Sequence, residues 1–505
     1  MVQIRDISNS EKMKNASKYQ RAIYKAFQMT DKNLSISAVA GSGKTTTLLE
    51  LLKYVPQQSS SLFLAFNNSI VDELRNRNER EGTNILTIHS CGWRMLLRTF
   101  GSRIKMNPNK GIAKAEKVVK ELKIPANRVG YYFYIIPRML DLMRCNLCEP
   151  TEESIDELID KYNIDVERED YKAILLAFKY LVNDKSQFDF MDMIYVPVKD
   201  TRVRFNKYDY VFCDESQDFS ICQQAFIKNC ISRKGRLITV GDPNQAIYGF
   251  AGADNESYNK LANLNGASIK MPLSVSYRCA RNIVLEAKKI VPEIDYAPDA
   301  EYGLVEEGSL TRIEQGDWIL CRNLKPLIQT YLWLMRNKVK SKIRGKDIGE
   351  GIASLIIKTG AFSVPALKDA LEREKSLLFS KLESKGVKRP SLHPKMELLE
   401  QRIEVINCLL EECDSVKSLL KMIDSIFTDD VKGILLSTIH KAKGLENDRV
   451  FFLAPELIPS KYATMDWEFI QESNLKYVAI TRAKKELIYV SGDTFKNDLN
   501  AKVSL

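Results

Sequence analysis

The sequence predicts an α/β protein with parallel sheets in two domains, each carrying a mainly helical insertion. Three observations predict it. A glycine-rich loop, AVAGSGKTTT at residues 38–47, lies between a β-prone run and a helix-favouring one. A second apolar run, VFCDESQD at residues 211–218, ends in paired acids. Short apolar strands alternate with helical stretches along the chain, the pattern of parallel sheets with crossover helices.

The first strand is expected over 34–39 and the helix after the loop over 47–54. In that context Gly41 and Gly43 let backbone amides turn toward a β-phosphate, the helix N-terminus adds partial positive charge, and Lys44 supplies a full one. Ala40, Ser42 and Thr46 complete the expected nucleotide-binding loop, and Thr45 is placed to hold a magnesium ion. Ala38 stands where the general pattern begins with glycine. Strands at 61–66 and 84–89 come next, then a helix-rich insertion at about 101–185. The strand at 208–215 carries Asp214 and Glu215 to the carboxyl edge of a sheet, where ligands bind. One acid can hold magnesium through water while its neighbour positions and deprotonates the attacking water; Asp214 is expected in the first role and Glu215 in the second. The loop and the acids together describe a nucleotide triphosphatase.

A strand at 236–242 precedes Gln245, and strands at 317–323, 432–440, 449–455 and 486–493 form the second group. A second insertion, at about 349–430, contains helical spacing over 366–382 and 396–410, with Gly386 and Pro390 breaking the chain between them. Its Leu and Ile stripe is read as core and its charges as a solvated face. The basic stretch 338–346 is read as an exposed strand edge. The expected division is a first core of 1–100 and 186–272 with insertion 101–185, and a second core of 273–348 and 431–505 with insertion 349–430.

A chain of 505 residues should divide into several domains, because single cores rarely exceed ~250 to 300 residues. No run of ~18 apolar residues occurs, so no membrane span is expected. The polar N-terminus lacks the apolar stretch of a signal peptide, which points to a reducing, cytoplasmic setting. The ten cysteines are scattered and several sit in apolar strand contexts, so they read as small hydrophobes. Cys145 and Cys148 form one CxxC without a second pair or a histidine cluster nearby. The formal charge of +10 suits a basic groove for nucleic acid and equally many unrelated proteins.

The order of further motifs gives the chain a closer likeness. ASKYQ at 16–20, LAFNNSIVDEL at 64–74, LTIHS at 86–90, GDPNQAIYGFAGAD at 241–254, SVSYR at 274–278, LSTIHKAKGLE at 436–446 and YVAITRAKKEL at 477–487 resemble, in order, the motifs of UvrD/Rep-like superfamily 1 DNA helicases. The resemblance covers both cores and implies two RecA-like P-loop domains, ATP and Mg2+ as cofactors, and single-stranded DNA and single-strand/duplex junctions as partners. It implies that Gln20 reads the base, Tyr277 stacks on adenine, Glu446 lies near the ribose, and Arg278 and Arg482 act as arginine fingers on the γ-phosphate. Gln245 can sense the γ-phosphate or the attacking water. Phe66, Tyr248 and Phe250 are candidates for base stacking, worth ~1 to 3 kcal/mol per base. Asn68, Thr87 and Thr438 are expected at phosphate or sugar, and His89 and His440, in parallel T-I-H contexts, as neutral phosphate donors. His393, in SLHPK, is read as a surface residue.

The motif set resembles the group that moves 3′ to 5′ and implies stepwise translocation, with ATP drawing the two halves together and hydrolysis releasing them. Departures accompany the likeness. Family members carry an arginine after the phosphate-loop threonine and another in a W-R-G-A segment, where this chain has Thr46 and Ala251. The family's strand-separating hairpin follows the T-R-A motif, and Leu505 comes soon after the last expected strand, so duplex unwinding is a weaker expectation than translocation. Three readings stand: a DNA helicase, a translocase that strips proteins from single strands, and a nucleotide-dependent scaffold. The complete set Lys44, Glu215, Gln245, Arg278 and Arg482 argues against the last.

Overall fold

A computed structural model describes residues 16–501, apart from 66–67, 163, 165, 250–251, 255, 385–388 and 429–432. The chain divides into two compact units, Met1–Val275 and Ser276–Leu505. Each is α/β and built on a parallel sheet, as the sequence predicts.

In the first unit the strands are β1 (Asn33–Ala38), β2 (Ser61–Ala65), β3 (Thr83–Thr87), β4 (Tyr208–Cys213), β5 (Ile231–Gly241) and β6 (Ser268–Leu273), in the order β3-β2-β4-β5-β1-β6. All neighbours are parallel, with Ile36 beside Val240, Phe212 beside Ile238 and Phe63 beside Phe212. Strand β2 and the later parts of β4 and β5 are buried apolar runs, as strands covered on both faces are, whereas the edge strand β6 exposes Lys270 and Pro272. Phe63 and Phe212 are fully buried and stack with centroids 6.2 Å apart.

Helix α1 (Lys18–Met29) is started by a capping box of Ser17 and Gln20. Helix α2 (Lys44–Lys53) begins three residues earlier than the sequence predicts, because left-handed Gly43 can serve as its N-cap. α3 (Asn68–Arg77) follows β2, and α4 (Ile88–Phe100) follows β3. The strand expected over 84–89 stops at Thr87 because the Thr87 hydroxyl caps α4, accepting from the Ser90 amide at 3.1 Å.

Between 101 and 185 lie α5 (Lys110–Glu121), α6 (Ala126–Cys145), α7 (Glu152–Tyr162) and α8 (Arg168–Asn183). They join the sheet through one core, in which Ile135, Met139, Ile174 and Leu181 pack with Leu62, Val211 and Leu237. A buried ion cluster ties this region to the start of α9 (Asp192–Lys199). Arg144 Nη1 and Nη2 lie 2.7 and 2.9 Å from the two Asp189 oxygens, Arg144 Nη1 is also 2.9 Å from Asp192, and Lys110 Nζ is 2.7 Å from Asp192.

In the second unit the sheet order is β7-β13-β12-β8-β11-β9-β10, with β7 (Leu304–Glu307), β8 (Trp318–Cys321), β9 (Ser341–Arg344), β10 (Phe427–Thr428), β11 (Ile434–Thr438), β12 (Asn447–Leu453) and β13 (Ala483–Val490). Again every pairing is parallel. Helices α10 (Lys346–Thr359), α11 (Val364–Ser384), α12 (Pro394–Leu410) and α13 (Val416–Ile426) lie between β9 and β10.

Two expectations are corrected here. The basic stretch 338–346 is not an exposed edge: β9 is flanked by β11 and β10, burying Ser341 and Ile343, because the chain returns from its helices to add β10 outside it. His393 is buried, since its Nδ1 caps α12 by accepting from the Lys395 amide at 3.2 Å. Nine of the ten cysteines are buried and Cys148 is partly so; all ten are free thiols. No helix among the described residues is long and apolar enough to cross a membrane.

Candidate nucleotide and nucleic-acid sites

Strand β1 delivers the glycine-rich loop to the carboxyl edge of its sheet. Gly41 and Gly43 have φ of 71° and 79°, conformations that side chains other than glycine adopt at a cost. The buried Ser42 hydroxyl donates to the Val39 carbonyl at 2.7 Å and closes the loop, while Ala40 is buried beneath it. Lys44, Thr45 and Thr46 occupy the first turn of α2, where helix amides are unpaired within the helix.

At the ends of β4 and β5 stand the acids. Lys44 Nζ lies 3.2 and 3.3 Å from the two Glu215 oxygens, and Thr45 Oγ1 donates to Asp214 Oδ2 at 2.9 Å. Burial opposes the Lys44 ammonium, but the carboxylates of Glu215, Asp242 and Asp214 outweigh it and raise its pKa. Burial and the neighbouring Glu215 push Asp214 up to about 6, against Lys44, which pulls it down. Asp242 is likewise raised, chiefly by burial. One ammonium against three clustered carboxylates leaves surplus negative charge, which a divalent cation would offset. The hydroxyl of Thr45 and the carboxylate of Asp214 are hard oxygen donors and fit Mg2+. Glu215 itself has φ of 50°, a left-handed conformation that costs a non-glycine residue about 1 kcal/mol or more and turns its carboxylate toward Lys44.

Gln245 follows in a short 3-10 turn after β5, buried, with Nε2 donating to Asp242 Oδ2 at 2.7 Å. Gln20 reaches the start of α2 from α1, its Nε2 donating to Thr47 Oγ1 at 3.2 Å. Thus Gln20, the segment 40–46, Asp214, Glu215 and Gln245 converge. Thr87 and His89 stand where β3 passes into α4, and burial lowers the His89 pKa, favouring the neutral ring. Tyr248 is half-buried in the loop after Gln245. Phe66, Phe250 and position 251 lie outside the described residues, as does the side chain of Asn68.

In the second unit, Tyr277, Arg278, Glu446 and Arg482 gather. Arg278 Nε pairs with Glu446, and Tyr277 is 50% exposed. Arg482 is buried with its guanidinium on the carbonyls of Val478 and Leu445 and on Thr481 Oγ1. Burial, then the positive Arg278, lower it to about 10, so it remains a cation short of negative partners. A cavity of about 500 Å3 opens beside Tyr277 and Arg278, with Asp448, Lys484 and Lys485 among its other walls. Thr438 and His440 stand at the carboxyl end of β11. His440 is lowered to about 3 by burial, then by Arg322 and Lys443, which keeps it neutral at physiological pH.

Four residues to which the sequence reading assigns no role belong with these groups. Gln217 and Asp242 lie inside quoted motifs, and their hydrogen bonds to Glu215 and Gln245 show why those motifs extend beyond the acids and the glutamine. Arg77 donates to Thr46 Oγ1 at 2.9 Å from 31 residues away, a contact no local pattern signals. Phe190 is 57% exposed with its ring edge-on to His89, centroids 6.4 Å apart. Cys145 is buried 3.7 Å from Met191 Sδ, and burial pushes its thiol up to about 12, unfavourable for a thiolate metal ligand.

Comparison with known proteins agrees with the motifs. The family model described as UvrD/REP helicase N-terminal domain matches residues 19–265, and that described as UvrD-like helicase C-terminal domain matches 367–492. The chain is 23% identical to F-box DNA helicase protein 1 of Schizosaccharomyces pombe over 90% of its own length and 55% of that protein's. It is 25% identical to the mitochondrial ATP-dependent DNA helicase HMI1 of Saccharomyces cerevisiae, covering 75% of this chain and 54% of that one. With ATP-dependent DNA helicase PcrA of Staphylococcus epidermidis it shares 26% identity over 53% of this chain and 39% of that one. The chain spans about half the length of the first two relatives and less of the third. With both family models matched in order and a parallel α/β unit beneath each, the chain belongs to the UvrD/Rep-like superfamily 1 helicases.

Proposed function

We propose that this protein hydrolyses ATP to move 3′ to 5′ along single-stranded DNA and to open duplex ahead of it. The observation that carries the proposal is the convergence of Lys44, Thr45, Asp214, Glu215 and Gln245 at one sheet edge. Lys44 and the amides of 41–46 bind the phosphates, and Gln20 contacts the base. Thr45 and Asp214 would hold Mg2+, which when bound neutralises charge on the β- and γ-phosphates.

Phosphate arriving at Lys44 competes with Glu215 for the ammonium, freeing the carboxylate to accept a proton from the attacking water. Gln245 orients that water, and Arg278 and Arg482 offset charge developing on the γ-phosphoryl group. Arg482, buried and lacking a carboxylate among its hydrogen-bond partners, is suited to take an anion. Tyr277 stacks on adenine and Glu446 lies near the ribose.

For the strand, Thr87, His89, Thr438 and His440 supply neutral donors to phosphates or sugars, Asn68 acts in the same way, and Phe66, Tyr248, Phe250 and Phe190 stack on bases. The proposed division keeps 1–100 with 186–272 and 273–348 with 431–505 as the two cores, and 101–185 and 349–430 as insertions. An intracellular, reducing compartment fits the ten free cysteines.

Strand displacement by the purified protein with ATP and magnesium, on duplexes with a 3′ or a 5′ tail, tests this. Opening of the 3′-tailed duplex alone is expected, with no opening by Glu215→Gln. ATP turnover on single strands without displacement would replace the proposal with a translocase, and opening of the 5′-tailed duplex would refute the polarity.

A further inference from the structure

The carboxylate of Glu215 is held from two sides, by Lys44 and by the amide of Gln217. Gln217 is 2% exposed, and both ends of its amide are engaged. Nε2 donates to Glu215 Oε2 at 2.6 Å and to Asp218 Oδ2 at 3.1 Å. Oε1 accepts the backbone N–H of Asp242 at 3.0 Å. Asp242 in turn holds Gln245 through its own carboxylate at 2.7 Å, and Tyr248 follows three residues later. One unbroken hydrogen-bonded path therefore runs from Glu215 through Gln217 and Asp242 to Gln245.

The approach that makes this path possible depends on a glycine. A Cβ on Gly241 would lie 2.4 Å from Ser216 Oγ and 2.6 Å from Gln217 Oε1, closer than side chains tolerate. A residue present only to fill space would not need a donor and an acceptor each aimed at a different segment. An amide does this, whereas a carboxylate has no hydrogen to give Glu215, and a thioether has no hydrogen for Glu215 and is only a weak acceptor for the Asp242 N–H.

Resting on the reading of Glu215 as the base, we propose that Gln217 is a positioning residue. It fixes the Glu215 carboxylate relative to the 241–245 turn, so that single-stranded nucleic acid engaging the Tyr248 loop adjusts the oxygen that activates water. The link acts through placement rather than through contact with the nucleotide.

The test uses the whole chain with Gln217→Met, which keeps the volume, and Gln217→Glu, which keeps only the acceptor. ATP turnover is measured with and without oligo(dT), and nucleotide affinity with a fluorescent ATP analogue. Both variants are expected to lose about tenfold or more in kcat, the size of effect a misplaced reacting group produces, with KM and nucleotide affinity changed less than about threefold. The stimulation by oligo(dT) is expected to shrink toward unity. Should either variant fold poorly, Gly241→Ala, which wedges a methyl group into the same contact, is expected to give the same split.

Wild-type kcat and stimulation in Gln217→Met would overturn the proposal. So would a lowered melting temperature accompanied by unchanged kcat per bound nucleotide, because that is what a purely structural side chain predicts. If the unmodified protein shows no ATP turnover with oligo(dT), the reading of the site as an ATPase fails first, and this one with it.

Discussion

His440 shows how burial sets the chemistry of a single side chain. Its pKa falls to about 3 in the folded protein, chiefly through burial and then through Arg322 and Lys443, against an ordinary histidine near 6.5 in the unfolded chain. Between those values the unfolded chain binds a proton that the native state refuses, so stability decreases as pH falls. The contribution is intact above about 6.5 and is lost progressively toward 3. Melting temperature followed from pH 7 to pH 4 should therefore drop less steeply in His440→Asn than in the unmodified protein. Parallel curves would show that the ring is more solvated than its position implies. Glu215 makes a different point at this scale: its positive φ follows from the tight turn between β4 and the Ser216–Asp218 turn, not from any preference of glutamate.

At the scale of elements, α5 and α6 are tied to the start of α9 by a cluster in which Lys110 and Arg144 face the buried Asp189 and Asp192, with the more exposed Asp141 also 2.7 Å from Arg144; Lys110, Arg144 and Asp192 are about 1% exposed in their side chains. Removing one partner of such a group leaves an uncompensated buried charge, so Arg144→Ala should cost about 3 to 5 kcal/mol in chemical denaturation. A loss below about 1 kcal/mol would mean that water already screens the cluster. Helices α4 and α9 pack with unusual closeness at Gly92, where a Cβ would fall 1.7 Å from the Met193 carbonyl oxygen. Gly92→Ala must separate the two helices, and a destabilisation of about 1 to 3 kcal/mol or more is expected, read as a lower urea midpoint. An unchanged midpoint would show that the helices slide apart freely. Because Thr87 caps α4 and His89 lies in its first turn, the same variant should also weaken binding to single-stranded DNA.

For the whole molecule, the net charge of +10 makes salt the natural probe of nucleic-acid binding. Lysine and arginine contacts release counterions, giving a slope of about −0.7 in log affinity against log salt per phosphate neutralised. Neutral donors release none. With both rings held neutral by burial, His89→Ala and His440→Ala should weaken oligo(dT) binding at every salt concentration and leave the slope unchanged. A slope reduced by about 0.7 in either variant would show that the histidine binds as a cation.

Much was legible in the amino-acid order because it is local. Glycines at 41 and 43, Lys44 after a strand, and Asp214–Glu215 at the end of an apolar run each state their geometry within a few residues, and the helices over 366–382 and 396–410 show in their apolar spacing. The two parallel sheets follow from alternating strands and helices for the same reason. Other features arise where distant segments meet. The burial of β9 comes from β10, more than 80 residues later, and the burial of His393 from the helix it caps. Arg77, the last residue of α3, meets Thr46 in the first turn of α2 only through the folding of the chain between them. The path from Glu215 through Gln217 to Asp242 exists because parallel pairing of β4 with β5 sets two loop starts side by side. The sequence by itself determined which chemical groups are present and which local turns present them. Tertiary structure alone decided which are buried, neutral or joined, because desolvation and hydrogen bonding depend on what the rest of the chain brings near.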